Sequence, residues 1–382
     1  MKSFKNTSSV LLFLLLMLYS IIVVSQTSRK VINIPDITGY KTLKCDFHMH
    51  SVFSDGTVWP SFRVEEAWSE GLDVIAITDH LGHHPKNKVD ADNFNKNYEI
   101  AKPVADKLGM VLIKGSEITT KTNYGHLNAL FLKDINLIDK KIPLDAVTAA
   151  SQQGAFITWN HPGWKMENEI PVWNKEQDTL MQKGLINGIE IVNFDTYYPL
   201  AFTWSNEKKL TPLACSDIHN PATSEYDFSK IGHRPMTLVF AKDTSISAIK
   251  DALLQRRTLA YFENMLMGNE DLLKAIFKAS IIIQNPEFSI DADSENNYSN
   301  NIRIQNNSCI DFEMELVASD KFLRLSEKIN LKANSISIIS IKSASKDIKG
   351  DKEYVLKYKV KNLLKAPDDI IVVEFPIKIK FI

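Results

Sequence analysis

The stretch Asp46-Phe47-His48-Met49-His50-Ser51-Val52-Phe53-Ser54-Asp55-Gly56-Thr57 puts two imidazoles and a turn carboxylate within reach of one metal ion. Four further clusters carry the same residue types: Thr78-Asp79-His80, Glu117 with Gly125-His126, Asn160-His161-Pro162, and Ser216-Asp217-Ile218-His219. The chain has nine histidines, and six of them lie in these clusters, each at or next to the end of an apolar run. His48 and His50 are two residues apart at a predicted strand end, so both point to one face and can share a cation. Asp55 sits in a Ser-Asp-Gly turn from which it can reach back over that strand end. Asp217 and His219 repeat the arrangement after Leu213-Ala214-Cys215. Taken singly, each feature has an ordinary reading: a lone HxH is weak, Asp55 fits a plain turn, Asp217 fits a helix cap, and His126 or His161 fits a hydrogen-bonded strand end. Together and in this order they predict one polynuclear metal site.

The elements that must position these residues alternate between strand-like and helix-like runs from about Leu43 to Phe262. Val74-Ile75-Ala76-Ile77, Val111-Leu112-Ile113, Phe156-Ile157-Thr158-Trp159 and Gly188 to Asn193 read as buried strands. Phe62 to Glu70, Asn93 to Leu108, Leu144 to Gln153 and Ser245 to Arg257 read as helices. Such alternation predicts a parallel sheet or barrel with its site at the C-terminal strand ends, where every candidate ligand would then fall. Glu270 to Ala279 reads as a connecting helix. From Ser280 onward, Ile302-Arg-Ile, Phe312-Glu-Met-Glu-Leu, Ile336 to Ile341 and Val355 to Val360 alternate apolar with polar, which predicts half-exposed antiparallel strands and a small β-sandwich. That segment, taken as 280–382, has no histidine and no acidic cluster with ligand spacing; it reads as a packing or accessory domain.

The motifs H-x-H-S-x-x-S-D-G, T-D-H, a strand-end Glu with a His nine residues on, an isolated His before Pro, and a final D-x-H resemble the PHP (polymerase and histidinol phosphatase) superfamily of metal-dependent phosphoesterases, over roughly 40–265. The resemblance implies a distorted seven-stranded α/β barrel. It implies His48, His50, Asp55, His80, Glu117, His126, His161, Asp217 and His219 as ligands of two to three divalent ions, with Glu117 bridging two and Glu117, Asp217 and His219 carrying catalysis. A donor set of imidazole and carboxylate without thiolate suits Mn, Fe or Zn. The expected chemistry is P–O hydrolysis by a hydroxide held between two ions. Exported members with a trailing β-domain suggest a phosphodiesterase on small organic phosphate diesters. A phosphomonoesterase or nucleotide phosphatase is the alternative. An amidohydrolase-type C–N hydrolase fits less well, because Glu117 and Asp217-x-His219 replace the modified Lys and lone final Asp of that type. A metal-stabilised binding protein fits poorly with ligands at open strand ends. Arg234 and His84 are the candidate substrate contacts; His83 is a solvated loop residue and His233 lies outside any ligand pattern.

At 382 residues the chain can hold two domains, and 44% hydrophobic with 24% charged content is ordinary for a globular protein. A net charge of −1 gives no electrostatic case for nucleic acid. Residues 1–25 read as a secretory signal peptide: Lys2 and Lys5 precede the apolar run Val10 to Val24, of 15 residues, too short to span a bilayer comfortably. Cleavage is expected near Gln26, with the mature protein in the periplasm or medium and without a stable membrane anchor. The three cysteines, Cys45, Cys215 and Cys309, have no CxxC spacing, and the first two read as buried apolar residues.

Overall fold

A computed structural model of the protein describes residues 28–81, 93–291, 300–318 and 320–382. The expected signal peptide, the cleavage point near Gln26, and His83 and His84 lie outside the described residues. Among the described residues no helix is long and apolar enough to cross a membrane.

The first part of the chain lays down β1 (Lys41–Asp46), β2 (Val74–Ile77), β3 (Val111–Ile118), β4 (Leu127–Leu130), β5 (Phe156–Trp159), β6 (Gly188–Asn193), the short β7 (Thr196–Tyr197) that folds back on β6, and β8 (Thr211–Cys215). Every residue of β2, β5, β6 and β8 is buried, as expected for strands covered on both faces. Pairing is parallel for β1–β2, β2–β3, β5–β6 and β6–β8. It is antiparallel for β3–β4 and β4–β5, so the all-parallel expectation fails at β4. The β3–β4 link is too short for a crossover helix, and a short connection can only reverse the strand. The sheet curves until β8 meets β1 again, through the isolated bridge Met49↔Ile218 rather than a full ladder. There the Asp217 amide donates to the His48 carbonyl at 2.8 Å and the His50 amide to the Ile218 carbonyl at 2.9 Å.

Helices form where the sequence spacing predicts. Pro60–Ser69 and Pro143–Gln152 start with Pro at the first helical position, and Lys96–Leu108 ends at Gly109 in the left-handed conformation, φ 67. Ile246–Leu254 is capped by the Ser245 hydroxyl. On the other side of β1 run β9 (Met236–Ala241), β10 (Thr258–Phe262) and β11 (Met265–Gly268), all antiparallel in sequence. Threonine hydroxyls from this meander serve β8: Thr237 Oγ1 bonds both the amide and the carbonyl of Ala214, at 3.0 and 2.9 Å, and Thr258 donates to the Pro212 carbonyl at 3.0 Å.

After the helix Glu270–Ser280 come β12 (Ile281–Ile283), β13 (Glu287–Ile290), β14 (Asn300–Asn306), β15 (Phe312–Leu316), β16 (Leu323–Arg324), β17 (Lys328–Leu331), β18 (Ser335–Ser343), β19 (Gly350–Ala366) and β20 (Asp369–Phe381). β12, β14, β18 and β16 form one sheet; β13, β20, β19, β15 and β17 belong to the other. Ile302, Ile304, Ile339 and Ile341 of the first sheet face Met314, Leu356, Tyr358, Phe375 and Ile377 of the second, a sandwich core. The sandwich is joined to the barrel-like part by more than a linker, because β19 pairs in parallel with β11 through Leu266↔Leu363 and Met267↔Leu364.

Candidate metal centre

All nine residues singled out as ligands converge at one rim of the curved sheet. Their ligand atoms fall into four overlapping groups: His50 with Asp55, His80 and His219; His48 with His50 and Glu117; His48 with His161 and Asp217; and His80 with Glu117 and His126. His48 and His50 follow β1, His80 follows β2, Glu117 is in β3, His161 follows β5, and Asp217 and His219 follow β8. His126 is the exception to placement at C-terminal strand ends. It precedes β4, and because β4 runs antiparallel its beginning lies at the same rim as its neighbours' ends. Gly125, at φ 68, makes this approach possible: a Cβ there would lie 2.8 Å from Trp159 Nε1.

Glu117 is fully buried and central. Its Oε1 lies 3.1 Å from His126 Nδ1, 3.4 Å from His161 Nε2 and 3.5 Å from His48 Nε2. Its Oε2 lies 2.5 Å from His80 Nδ1 and 3.8 Å from His50 Nε2. The two oxygens therefore face different sets of imidazoles. Asp217 Oδ1 sits between the first pair, 3.1 Å from His48 Nε2 and 3.0 Å from His50 Nε2. Asp55 reaches back as the turn predicted, 3.2 Å from His219 Nε2 and 3.4 Å from His80 Nε2. His161 (φ 27) and Asp217 (φ 52) hold left-handed backbone conformations that non-glycine residues rarely adopt, strain of the kind kept at functional sites.

The charges couple strongly. Although burial opposes it, Glu117 and Asp55 push His80 up to about 10. Burial and the neighbouring His80 push His50 down to about 4. Despite burial, His80, His48 and His126 hold the Glu117 carboxyl well below its usual range, and His48 and His50 do the same for Asp217. The donors fit divalent cations on geometry as well as type. Both oxygens of the buried, ionised Glu117 meet imidazole nitrogens: Oε2 meets His80 Nδ1 at 2.5 Å, and Oε1 meets His126, His161 and His48. A buried carboxylate surrounded by imidazoles, with a further carboxylate from Asp217 beside it, is the donor set a divalent cation takes in place of protons.

Three supporting residues escaped sequence reasoning. Glu190, fully buried in β6, lies 2.8 Å from His48 Nδ1 through Oε1, and its Oε2 accepts from the His161 amide and Asn193 Nδ2, both at 2.8 Å. Its only signal is a charged residue inside the apolar run Gly188-Ile-Glu-Ile-Val. Arg63, buried on the helix Pro60–Ser69, donates to the His50 carbonyl through Nε at 3.2 Å and Nη2 at 3.0 Å, and to the His219 carbonyl at 3.3 Å, tying the first and last ligand loops together. Asn160 Nδ2 donates to Glu117 Oε1 at 2.9 Å. Asp79 orients rather than ligates: it accepts from Ser51 N, Ser51 Oγ, Ser54 Oγ and Asn97 Nδ2, and Ser54 Oγ lies 3.3 Å from His50 Nδ1.

Arg234 corrects the expectation of a substrate clamp. It is buried, with Nε and Nη2 each 2.7 Å from the Glu70 carboxylate and further contacts to Asp46 at 3.4 Å and Glu66 at 3.6 Å. Three carboxylates already occupy the guanidinium, which leaves it nothing to offer a phosphate. His233 stays outside the cluster, between the Arg234 and Glu263 carbonyls.

A two-domain protein containing a predicted PHP-like metal-dependent phosphoesterase, from Bacteroides vulgatus, is 40% identical to this chain, with a TM-score of 0.83 over 91% of this chain and 99% of its own. The chain belongs to the PHP-like metal-dependent phosphoesterase family. Two more distant structures overlap it in part: a protein described as a metal-dependent phosphoesterase from Bifidobacterium adolescentis (17% identity, TM-score 0.37, 46% of this chain and 88% of its own) and an amidohydrolase from Chromobacterium violaceum with bound sulfate and no metal (14%, 0.36, 47% and 88%). Likeness that slight says nothing about activity. Residues 287–376 match an Ig-like domain family, in keeping with the sandwich. No curated protein matches the chain.

Proposed function

We propose that this PHP-like protein is an exported, metal-dependent phosphodiesterase acting on small organic phosphate diesters. The observation that carries the hydrolase reading is Glu117, a buried carboxylate whose two oxygens face separate imidazole sets within a nine-residue donor cluster. Two to three ions, of Mn, Fe or Zn, match that donor set. Bound ions would supply a Lewis-acid field for phosphate oxygens and lower the pKa of attacking water. The chain's own contribution is orientation. Glu190 accepts from His48 Nδ1, which leaves Nε2 facing Asp217 Oδ1 and the rest of the donor cluster. The Asp217 carbonyl accepts from His219 Nδ1 at 2.8 Å, so Nε2 is the nitrogen left facing Asp55.

Asp55, His80, His126 and His161 open onto a cleft of about 630 Å³. Among the described residues lining it, Lys121 and Lys165 are the basic ones and no arginine is present. A monoester dianion is usually held by a bidentate arginine, whereas a diester carries one charge and needs less. That contrast favours the diester. Rates on a chromogenic diester and its monoester, with protein refilled by Mn, Fe or Zn, test the assignment. Faster diester turnover supports it; monoester preference replaces it with a phosphomonoesterase, and no P–O hydrolysis with any metal refutes it.

A further inference from the structure

The cleft wall beside the donor cluster is an aromatic surface that metal chemistry does not use. After His161 the chain turns sharply: the Trp164 amide donates to the His161 carbonyl at 2.9 Å and the Met166 amide to the Gly163 carbonyl at 2.9 Å. Lys165, Asn168 and Glu169 take left-handed conformations, with φ of 59, 52 and 55. Gly163 packs so closely that a Cβ would lie 2.0 Å from the Glu169 carbonyl oxygen. This strained turn presents Trp164, whose side chain stays 45% exposed, with its ring centroid 5.1 Å from those of both His126 and His161. Lys165 Nζ lies 3.8 Å from the same ring, and Met166 extends the apolar rim. An exposed tryptophan next to two metal-type imidazoles, with an ammonium on its ring, offers stacking area and positive charge in one place.

We infer that Trp164 and Lys165 form a substrate subsite selecting phosphodiesters that carry a flat aromatic group. The inference rests on the phosphodiesterase reading and names the substrate class of that same cleft. The phosphate would sit over the donor cluster, with one ester group against the Trp164 ring. Trp164 gives the discrimination between ester groups, because only a π-face rewards stacking. Lys165 contributes to any monoanion regardless of its ester group.

The test uses metal-loaded full-length mature protein and two monoanions of equal charge that have no P–O ester bond to hydrolyse, methyl(phenyl)phosphinate and dimethylphosphinate, with binding read by titration calorimetry. Wild type should bind the phenyl probe about 3- to 10-fold more tightly. Trp164→Ala should abolish that preference, Trp164→Phe should keep most of it, and Lys165→Gln should weaken both probes alike. No phenyl preference in wild type, or an undiminished one in Trp164→Ala, overturns the subsite. Hydrolysis of bis(4-nitrophenyl) phosphate is followed separately. Turnover without phenyl preference overturns the subsite and spares the diesterase reading; phenyl preference without turnover leaves an aromatic-binding site but overturns the diesterase reading, and with it the assignment of the site to diester substrates.

Discussion

Glu190 Oε1 lies 2.8 Å from His48 Nδ1, deep in the sheet and on the side of the imidazole away from Asp217. A carboxylate behind a ligating histidine fixes its tautomer and makes it a better donor. Glu190 does so while its other oxygen holds the His161 amide, so one residue sets two of the candidate ligands. Replacing Glu190 with Gln should weaken metal affinity by about 10- to 100-fold. Competition with a chromogenic chelator measures this, and unchanged affinity would mean that Glu190 serves packing alone.

Glu117→Gln keeps the side chain's size but removes the charge that faces two sets of imidazoles. Turnover should fall by about 100-fold or more, near 2.7 kcal/mol since each tenfold is about 1.36 kcal/mol, while circular dichroism stays native. Near-wild-type kcat at saturating metal would exclude a bridging role.

Arg234 predicts a stability effect. Removing it leaves Asp46, Glu66 and Glu70 as buried or half-buried carboxylates without their shared cation. Arg234→Met should cost about 3–5 kcal/mol in chemical denaturation. A variant of native stability with raised KM would restore the clamp reading.

Metal content and pH are linked through His80. Its folded pKa, about 10 in the metal-free chain, stands above its ordinary 6.5. The protonated state therefore contributes stability that is fully present below 6.5 and is lost as pH rises through about 10. Bound cations need the neutral imidazole, so loading releases protons and strengthens as pH rises. The Tm gap between loaded and metal-free protein should widen from pH 6.5 towards 9, and elemental analysis should give two to three ions per chain. A constant gap, or one ion with full activity, would contradict the arrangement.

Export yields a separate prediction. Mature protein should begin near Gln26 and be recovered from periplasm or medium, as checked by N-terminal sequencing. Full-length chain retained in carbonate-washed membranes would refute it.

What the sequence determined by itself was chemical type and local form. His-x-His spacing, the Ser-Asp-Gly turn and the strand-end positions of Glu117 and Asp217 name most of the cluster, because strand periodicity and turn chemistry are local. Alternation in Phe312–Leu316 and Ser335–Ser343 announced the sandwich for the same reason. Tertiary structure decided the rest. The reversal of β4 brings His126 to the rim, and that four-residue strand carries too little pattern of its own to be read from sequence, so the short link that reverses it goes unseen. Glu190 and Arg63 became supporting residues only when His48, His50 and His219 were brought beside them. Arg234 could read as a clamp in sequence, but buried charge must find counter-charge, and the fold set Glu70, Glu66 and Asp46 around it. The parallel pairing of β11 with β19 was equally invisible, because hydrogen-bond partners remote in sequence are chosen by packing, not by the residues of either strand alone.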